Sequence, residues 1–244
     1  MADDKTYVLE KYFQTYNRII RQLSDSSVKH YCDAVKKISA ILKKHNVIKS
    51  SLYEITDLDT LDNIMVFLDG LEEFKDLDAR GHNMYSCGFK RYYEFASASN
   101  FNDVNINIFD DSSKNIDIPP QIYTGTITTY KRSSILKNQV IASANYKCEI
   151  NPLHKTFISC STNNQYMEAH HIIHLSHQKK FKHNIDIFSN VICLCPICHR
   201  LLHYGLEKDK LPVLNNIYKQ RNERLKNSGL DLSKDDFLEL TLRN

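Results

Sequence analysis

The first hundred residues carry apolar side chains at every third or fourth position, a spacing that predicts amphipathic helices. In residues 25–46, one apolar stripe with lysines on the opposite face is formed by Val28, Tyr31, Val35, Ile38 and Leu42. Ser26 or Ser27 is suited to cap the start of this helix. Comparable patterns occupy residues 7–23, 57–71 and 83–98, with a glycine-containing break at 79–83. We therefore predict four or five short helices packed as a bundle.

The pattern changes after residue 100. Residues 101–125 are rich in Asn, Asp and Ser, contain a Pro-Pro pair and have no helical period, which is typical of a linker. Helical spacing returns at 130–146, and the tail predicts two helices separated at Gly229. The expected fold class is α+β, mostly α. It comprises a helical domain at 1–100, a linker at 101–125, and a second domain at 126–244 that ends in helices.

Composition and charge limit the location and the partners. The chain has 244 residues, 42% of them hydrophobic, and no apolar run long enough to span a membrane. Its acidic start does not resemble a secretory signal, so we expect a cytoplasmic protein. Residues 126–244 hold 17 Lys and Arg against 10 Asp and Glu, whereas residues 1–125 hold 15 against 19. This basic excess suits a polyanionic partner such as DNA, and a solvated lysine surface is the alternative explanation.

The cysteines indicate a metal site. There are seven, an odd number, and in a reducing compartment thiols or metal ligands are expected rather than disulfides. Cys195 and Cys198 have the spacing with which a tight turn grips a tetrahedral zinc ion. Cys148 is the expected third ligand, and the fourth is His154, with Cys160 as the alternative. The other three cysteines, Cys32, Cys87 and Cys193, are expected to be ordinary buried thiols.

Two groups of histidines indicate a second metal site. His170 and His171 are adjacent in residues 167–173, which the pattern predicts to be a strand, and residues 190–194 predict a second strand. Neighbours on a strand point to opposite faces, so both cannot bind one metal in a regular strand, and they are expected to divide the roles only if the backbone bends there. His199 and His203 are four apart, and on a helix both rings can bind one ion.

Three segments together resemble the HNH endonucleases, whose catalytic unit is the ββα-metal fold. They are "EAHHI" at 168–172, Asn190, and "CPICHRLLH" at 195–203. The paired-histidine version is similar to the colicin DNases and to McrA-type restriction nucleases. The resemblance covers about residues 140–205, and this chain departs from it in lacking the second cysteine of the first zinc knuckle, where Asn151 stands.

The resemblance implies a role for each residue. His171 would be the general base that takes a proton from the attacking water, and Asn190 would orient its imidazole. His170, His199 and His203 would hold one catalytic divalent ion, which could be Mg²⁺, Mn²⁺, Co²⁺ or Ni²⁺. A structural Zn²⁺ would be held by Cys148, His154, Cys195 and Cys198. No organic cofactor is expected.

The implied function is a metal-dependent DNA endonuclease, either a restriction enzyme (type II or modification-dependent type IV) or a phage-defence enzyme. Double-stranded DNA is the expected substrate, and a homodimer would cut both strands. The N-terminal helices are similar to the core-binding domains of integrase-type recombinases, so residues 1–100 are expected to contact DNA or select the target. Two alternatives stay open: a non-catalytic zinc-finger DNA-binding module, and a homing or recombination HNH nuclease.

Overall fold

The chain folds into two compact units, residues 1–100 and 101–244. The structure is a computed structural model that describes residues 6–118, 121–124 and 127–242. None of the helices in these residues is both long and apolar enough to cross a membrane.

The first unit is helical. Its α-helices are α1 (Val8–Thr15), α2 (Asp25–Lys44), α3 (Leu58–Gly70), α4 (Glu72–Arg80) and α5 (Met84–Ala96). Helix α2 begins earlier than its sequence predicts, because the hydroxyl of Ser24 accepts a hydrogen bond from the backbone N–H of Ser27 at 3.2 Å. Helices α2 and α5 pack closely at Gly88, where an added Cβ would lie 2.6 Å from Ala34 Cβ.

Aromatic side chains fill the centre of this unit. Phe13 lies edge-on to Tyr92, with ring centroids 5.4 Å apart and planes at 88°, and it also contacts Phe95 and Tyr53. These rings are buried. Edge-to-face packing is favourable between aromatic rings, so the apolar stripes of the sequence form the core here.

The second unit combines helices with two small antiparallel sheets. Its elements are β1 (Gln121–Thr124), β2 (Ile127–Tyr130), α6 (Ser134–Ser143), β3 (Glu168–His171), β4 (Val191–Leu194), α7 (Pro196–Tyr204), α8 (Glu207–Asn227) and α9 (Lys234–Leu242). Strand β1 pairs with β2, and β3 pairs with β4. In the second sheet, His170 is opposite Ile192 and His171 is opposite Val191. The predicted class, mostly α with a small β component, is confirmed.

Residues 101–118 differ from the predicted linker. Phe101 and Phe109 are buried and stack in one group with Phe188, whose ring centroid lies 4.8 Å from that of Phe109. Asp110 accepts two hydrogen bonds from Arg224 of α8, at 2.9 and 3.0 Å. These contacts make the segment part of the second unit. They could not be recognised from its polar composition. The rest of the predicted linker comprises β1 and residues outside the described ones.

Candidate active site and metal centres

Asn190 fixes the loops on which the candidate site is built. It is fully buried and is the last residue of a short 3₁₀ turn, Phe188–Asn190, directly before β4. Its Oδ1 accepts from Ile173 N at 2.8 Å, and its Nδ2 donates to Ile173 O and Ile185 O, both at 2.9 Å. Both amide hydrogens are therefore used on the backbone. The prediction that Asn190 orients the ring of His171 is corrected by this geometry: Asn190 braces the loop that follows β3.

The four predicted zinc ligands lie together. The ligand atoms of Cys148, His154, Cys195 and Cys198 are all within 4.8 Å of one another. His154 Nδ1 is 3.4 Å from each of the sulfurs of Cys195 and Cys198. A single ring hydrogen cannot form two equal hydrogen bonds to the two sulfurs. A nitrogen and a sulfur that bind the same tetrahedral zinc ion lie about 3.6 Å apart, close to the distances found here. The donor set and the spacing therefore fit a metal ion, and the alternative ligand Cys160 is exposed and outside this cluster.

Local backbone geometry supports the cysteine cluster. Cys195 is the N-cap of α7, and Pro196 occupies the first turn, where its missing N–H costs nothing. Burial alone would raise the pKa of the Cys148 thiol. Hydrogen bonds from backbone N–H groups, the strongest from Cys195, have the opposite and larger effect, so the pKa is lowered overall. Such donors stabilise a thiolate, the form in which cysteine binds a metal.

Three histidines form a separate cluster between β3 and α7. The ligand atoms of His170, His199 and His203 lie within 4.8 Å of one another, and His199 Nε2 is 3.3 Å from His203 Nε2. Two imidazole nitrogens bound to one tetrahedral ion lie about 3.3 Å apart. Burial, reinforced by the neighbouring histidines, lowers the pKa of His170 to about 2, which keeps its lone pair available. The cluster fits a divalent ion.

Glu168 lies against one of these rings. Its carboxylate contacts His199 Nδ1. An N–H at Nδ1 that donates to the carboxylate leaves a lone pair on Nε2, and this atom faces His203. A carboxylate behind a metal-binding histidine is a common way to orient the ring and raise its basicity.

His171 occupies the opposite face of β3 from this cluster. Its Nε2 lies 2.8 Å from Asp186 Oδ1, and the pair is largely buried. The second carboxylate oxygen, Oδ2, accepts from the backbone N–H of Ser133, the N-cap of α6, at 2.8 Å. No bend in the strand is needed to separate the two histidines, because alternation along β3 already directs them to different partners.

Comparison with known proteins identifies the segment that carries these groups. Residues 150–206, less than a quarter of the chain, match the family model of an HNH endonuclease. This segment is an HNH domain. No curated protein and no solved structure matches the chain. The likeness of the N-terminal helices to integrase-type core-binding domains therefore stays a prediction.

The HNH domain contains side chains to which the sequence assigned no role. Asp186 contacts His171, and Glu168 contacts His199. A signal for Asp186 was present, because a lone acid between Ile185 and Ile187 predicts a buried carboxylate, which requires partners. The identity of those partners depended on a fold that brings residue 133 to residue 186.

Proposed function

We propose that the second unit is a metal-dependent DNA endonuclease. The observation that carries this proposal is the arrangement around β3. One strand of an HNH domain directs His170 into a cluster of three imidazoles and directs His171 to a buried carboxylate on its other face. In this proposal the scissile phosphate lies at the end of the strand, where His171 is the last residue, and contacts both groups there.

His171 acts as the general base in this proposal. Its Nε2–H donates to Asp186, which leaves the lone pair on Nδ1 to take a proton from the attacking water. The carboxylate also stabilises the imidazolium that forms. Asp186 therefore takes the orienting role that the resemblance assigned to Asn190.

His170, His199 and His203 would hold the catalytic divalent ion. When bound, the ion neutralises negative charge that develops at the phosphate and the leaving 3′ oxygen. Three imidazole donors favour transition ions such as Ni²⁺, Co²⁺ or Zn²⁺ over Mg²⁺, which prefers oxygen ligands. Glu168, which contacts Nδ1 of His199, would favour the tautomer whose Nε2 can bind the ion.

Cys148, His154, Cys195 and Cys198 would hold a structural Zn²⁺. All four positions are protein ligands, which is typical of structural rather than catalytic zinc. The ion ties the loop after α6 to the start of α7, in a part of the domain that has only a two-stranded sheet.

The substrate in this proposal is double-stranded DNA, and the biological role is restriction or phage defence. The basic excess of the second unit and the basic residues between β3 and Asn190 support a polyanionic substrate; the latter include Lys179, Lys180 and Lys182. The first unit would contact DNA or select the target through lysine faces that include Lys36, Lys37, Lys43 and Lys44. One active site cuts one strand, so two copies would make a double-strand break. The cytoplasm, where cysteine ligands stay reduced, is the expected location.

The test is cleavage of supercoiled plasmid and phage DNA by the purified protein, using plain, methylated and hydroxymethylated DNA side by side. EDTA should stop cleavage while the circular dichroism spectrum stays folded, and added divalent ions should restore it. His171→Ala should bind DNA and both metals but not cut, and excess metal should not rescue it. A protein that binds DNA and zinc but leaves every substrate intact would instead be the zinc-finger module. Cleavage of all phage DNA regardless of modification would argue against a modification-dependent enzyme.

A further inference from the structure

A cavity of about 250 Å³ opens beside His171, on the face of β3 opposite the histidine cluster. Its lining includes His171, Asp186, Leu136, Lys137 and Arg132. The two cationic side chains among the lining residues are thus placed next to the group proposed to be the general base. A cavity of this kind is suited to an anionic group that must reach His171.

The backbone at Arg132 is tied to the proposed base. The next residue, Ser133, donates its backbone N–H to Asp186 Oδ2 at 2.8 Å, and Asp186 Oδ1 lies 2.8 Å from His171 Nε2. Only one carboxylate therefore separates the chain next to Arg132 from the imidazole. Because this hydrogen bond fixes the backbone next to Arg132, the Arg132 side chain has a defined attachment point relative to His171.

The guanidinium of Arg132 is held by a neutral histidine. Arg132 Nη2 lies 3.2 Å from His174 Nε2. Arginine can only donate, so His174 Nε2 is the acceptor in this contact. His174 Nδ1 faces two groups of Ser176, the hydroxyl oxygen at 2.9 Å and the backbone N–H at 3.3 Å, and the ring proton belongs to the shorter contact with the hydroxyl. Burial, followed by the charge of Arg132, lowers the pKa of His174, which agrees with a neutral ring.

Most of the guanidinium remains available to a ligand. Of its five N–H donors, the described residues engage the one that faces His174, and the Arg132 side chain is exposed. Its position therefore suits an anion that enters the cavity beside His171.

We propose that Arg132 binds a non-bridging oxygen of the scissile phosphodiester and that His174 holds the guanidinium in place. Arginine binds phosphate through two parallel N–H groups, and its fixed charge offsets the negative charge that grows on the phosphate during attack. This proposal rests on the proposed nuclease function and adds a substrate contact to it. His174 is a positioning residue, since it acts through Arg132.

The experiment measures single-turnover cleavage of an oligonucleotide at a position mapped with the wild-type protein. The substrates carry a phosphodiester, an Rp phosphorothioate or an Sp phosphorothioate at that position. The variants are Arg132→Ala, Arg132→Lys and His174→Gln. Lys131→Ala is the matched control, because it removes the same charge from the adjacent residue. Melting temperature and metal content are recorded for each protein.

Arg132→Ala should cut the phosphodiester about 10²–10³-fold more slowly, as expected for a lost donor to a developing negative charge. Arg132→Lys should recover part of that rate, His174→Gln should lie between wild type and Arg132→Ala, and Lys131→Ala should stay within about threefold of wild type. One phosphorothioate isomer should slow the wild type more than it slows Arg132→Ala, because only the wild type has the contact to lose.

Equal rates for Arg132→Ala and Lys131→Ala, or equal phosphorothioate effects in wild type and Arg132→Ala, would overturn the contact. A metal-loaded wild-type protein that cuts no DNA would refute the proposed function itself, and this inference with it. The wild-type reaction therefore separates the two failures.

Discussion

Replacement of Asp186 by Asn tests the proposed base most directly, because it keeps the shape of the side chain and changes its hydrogen-bonding pattern. The carboxylate accepts from two donors, His171 Nε2 and Ser133 N, each at 2.8 Å. Asparagine has one oxygen and one NH₂ group. The backbone N–H of Ser133 cannot reverse its direction, so it keeps the oxygen and the NH₂ group faces His171.

The imidazole of His171 must then accept at Nε2 and carry its proton on Nδ1. That is the atom that has to take a proton from water, so the dominant tautomer is inactive. Removal of general-base catalysis costs about 10²–10⁴-fold, and an Asp→Asn change behind a catalytic histidine costs about 10⁴-fold in serine proteases. We expect a fall of about 10³-fold or more. Because two charge-assisted hydrogen bonds become neutral ones, the free energy of unfolding should fall by about 2 kcal/mol.

The assay is single-turnover DNA cleavage at saturating metal, with DNA affinity and metal content measured in parallel. Asp186→Ala is the matched control, because it removes the carboxylate but lets the ring of His171 adopt either tautomer. The tautomer argument predicts that Asp186→Asn cuts more slowly than Asp186→Ala per folded molecule. The reverse order, or a rate for Asp186→Asn within about threefold of wild type, would refute it.

Three further predictions concern stability. Cys195→Ser should abolish zinc binding and unfold the second unit, since a missing ligand opens the tetrahedron, whereas Cys160→Ser should leave zinc content and melting temperature unchanged. Asn190→Ala should lower the free energy of unfolding by about 3–6 kcal/mol, because it leaves three buried backbone groups without partners. Below its melting temperature, this variant should cut DNA at a near wild-type rate. A variant that is folded but inactive would instead show that Asn190 has a catalytic role. A fragment of residues 101–244 should fold and bind zinc. A fragment of residues 126–244 should aggregate, because it lacks Phe101 and Phe109, whose rings stack on Phe188. Equal thermal stability of the two fragments would contradict this prediction.

The sequence predicted those features that depend on short spacing. Helical periodicity identified α2 and α5, and the four-residue separation of His199 and His203 anticipated two rings on one face of α7. The proximity of Cys195 and Cys198 followed from the length of one tight turn.

Features that depend on contacts between distant residues were not predictable in this way. The hydrogen bond between Ser133 and Asp186 joins residues 53 positions apart, and nothing in either local pattern specifies the other. Phe101 and Phe109 stand in a polar segment without a period, so their stacking on Phe188 was not anticipated. Asn190 was assigned from the resemblance to the ring of His171, yet its three hydrogen bonds go to the backbone.

Helix α7 contributes to both clusters within nine residues. Cys195 caps the helix and Cys198 lies in its first turn, while His199, the very next residue, belongs to the other cluster together with His203. An inserted or deleted residue between positions 198 and 199 would rotate one set of ligands by about 100° relative to the other. A substitution at the exposed Ile197 would leave this spacing intact, whereas a change in the length of the helix would not. In the proposed nuclease, loss of zinc would therefore also displace His199 and His203, because the same helix carries ligands of both ions.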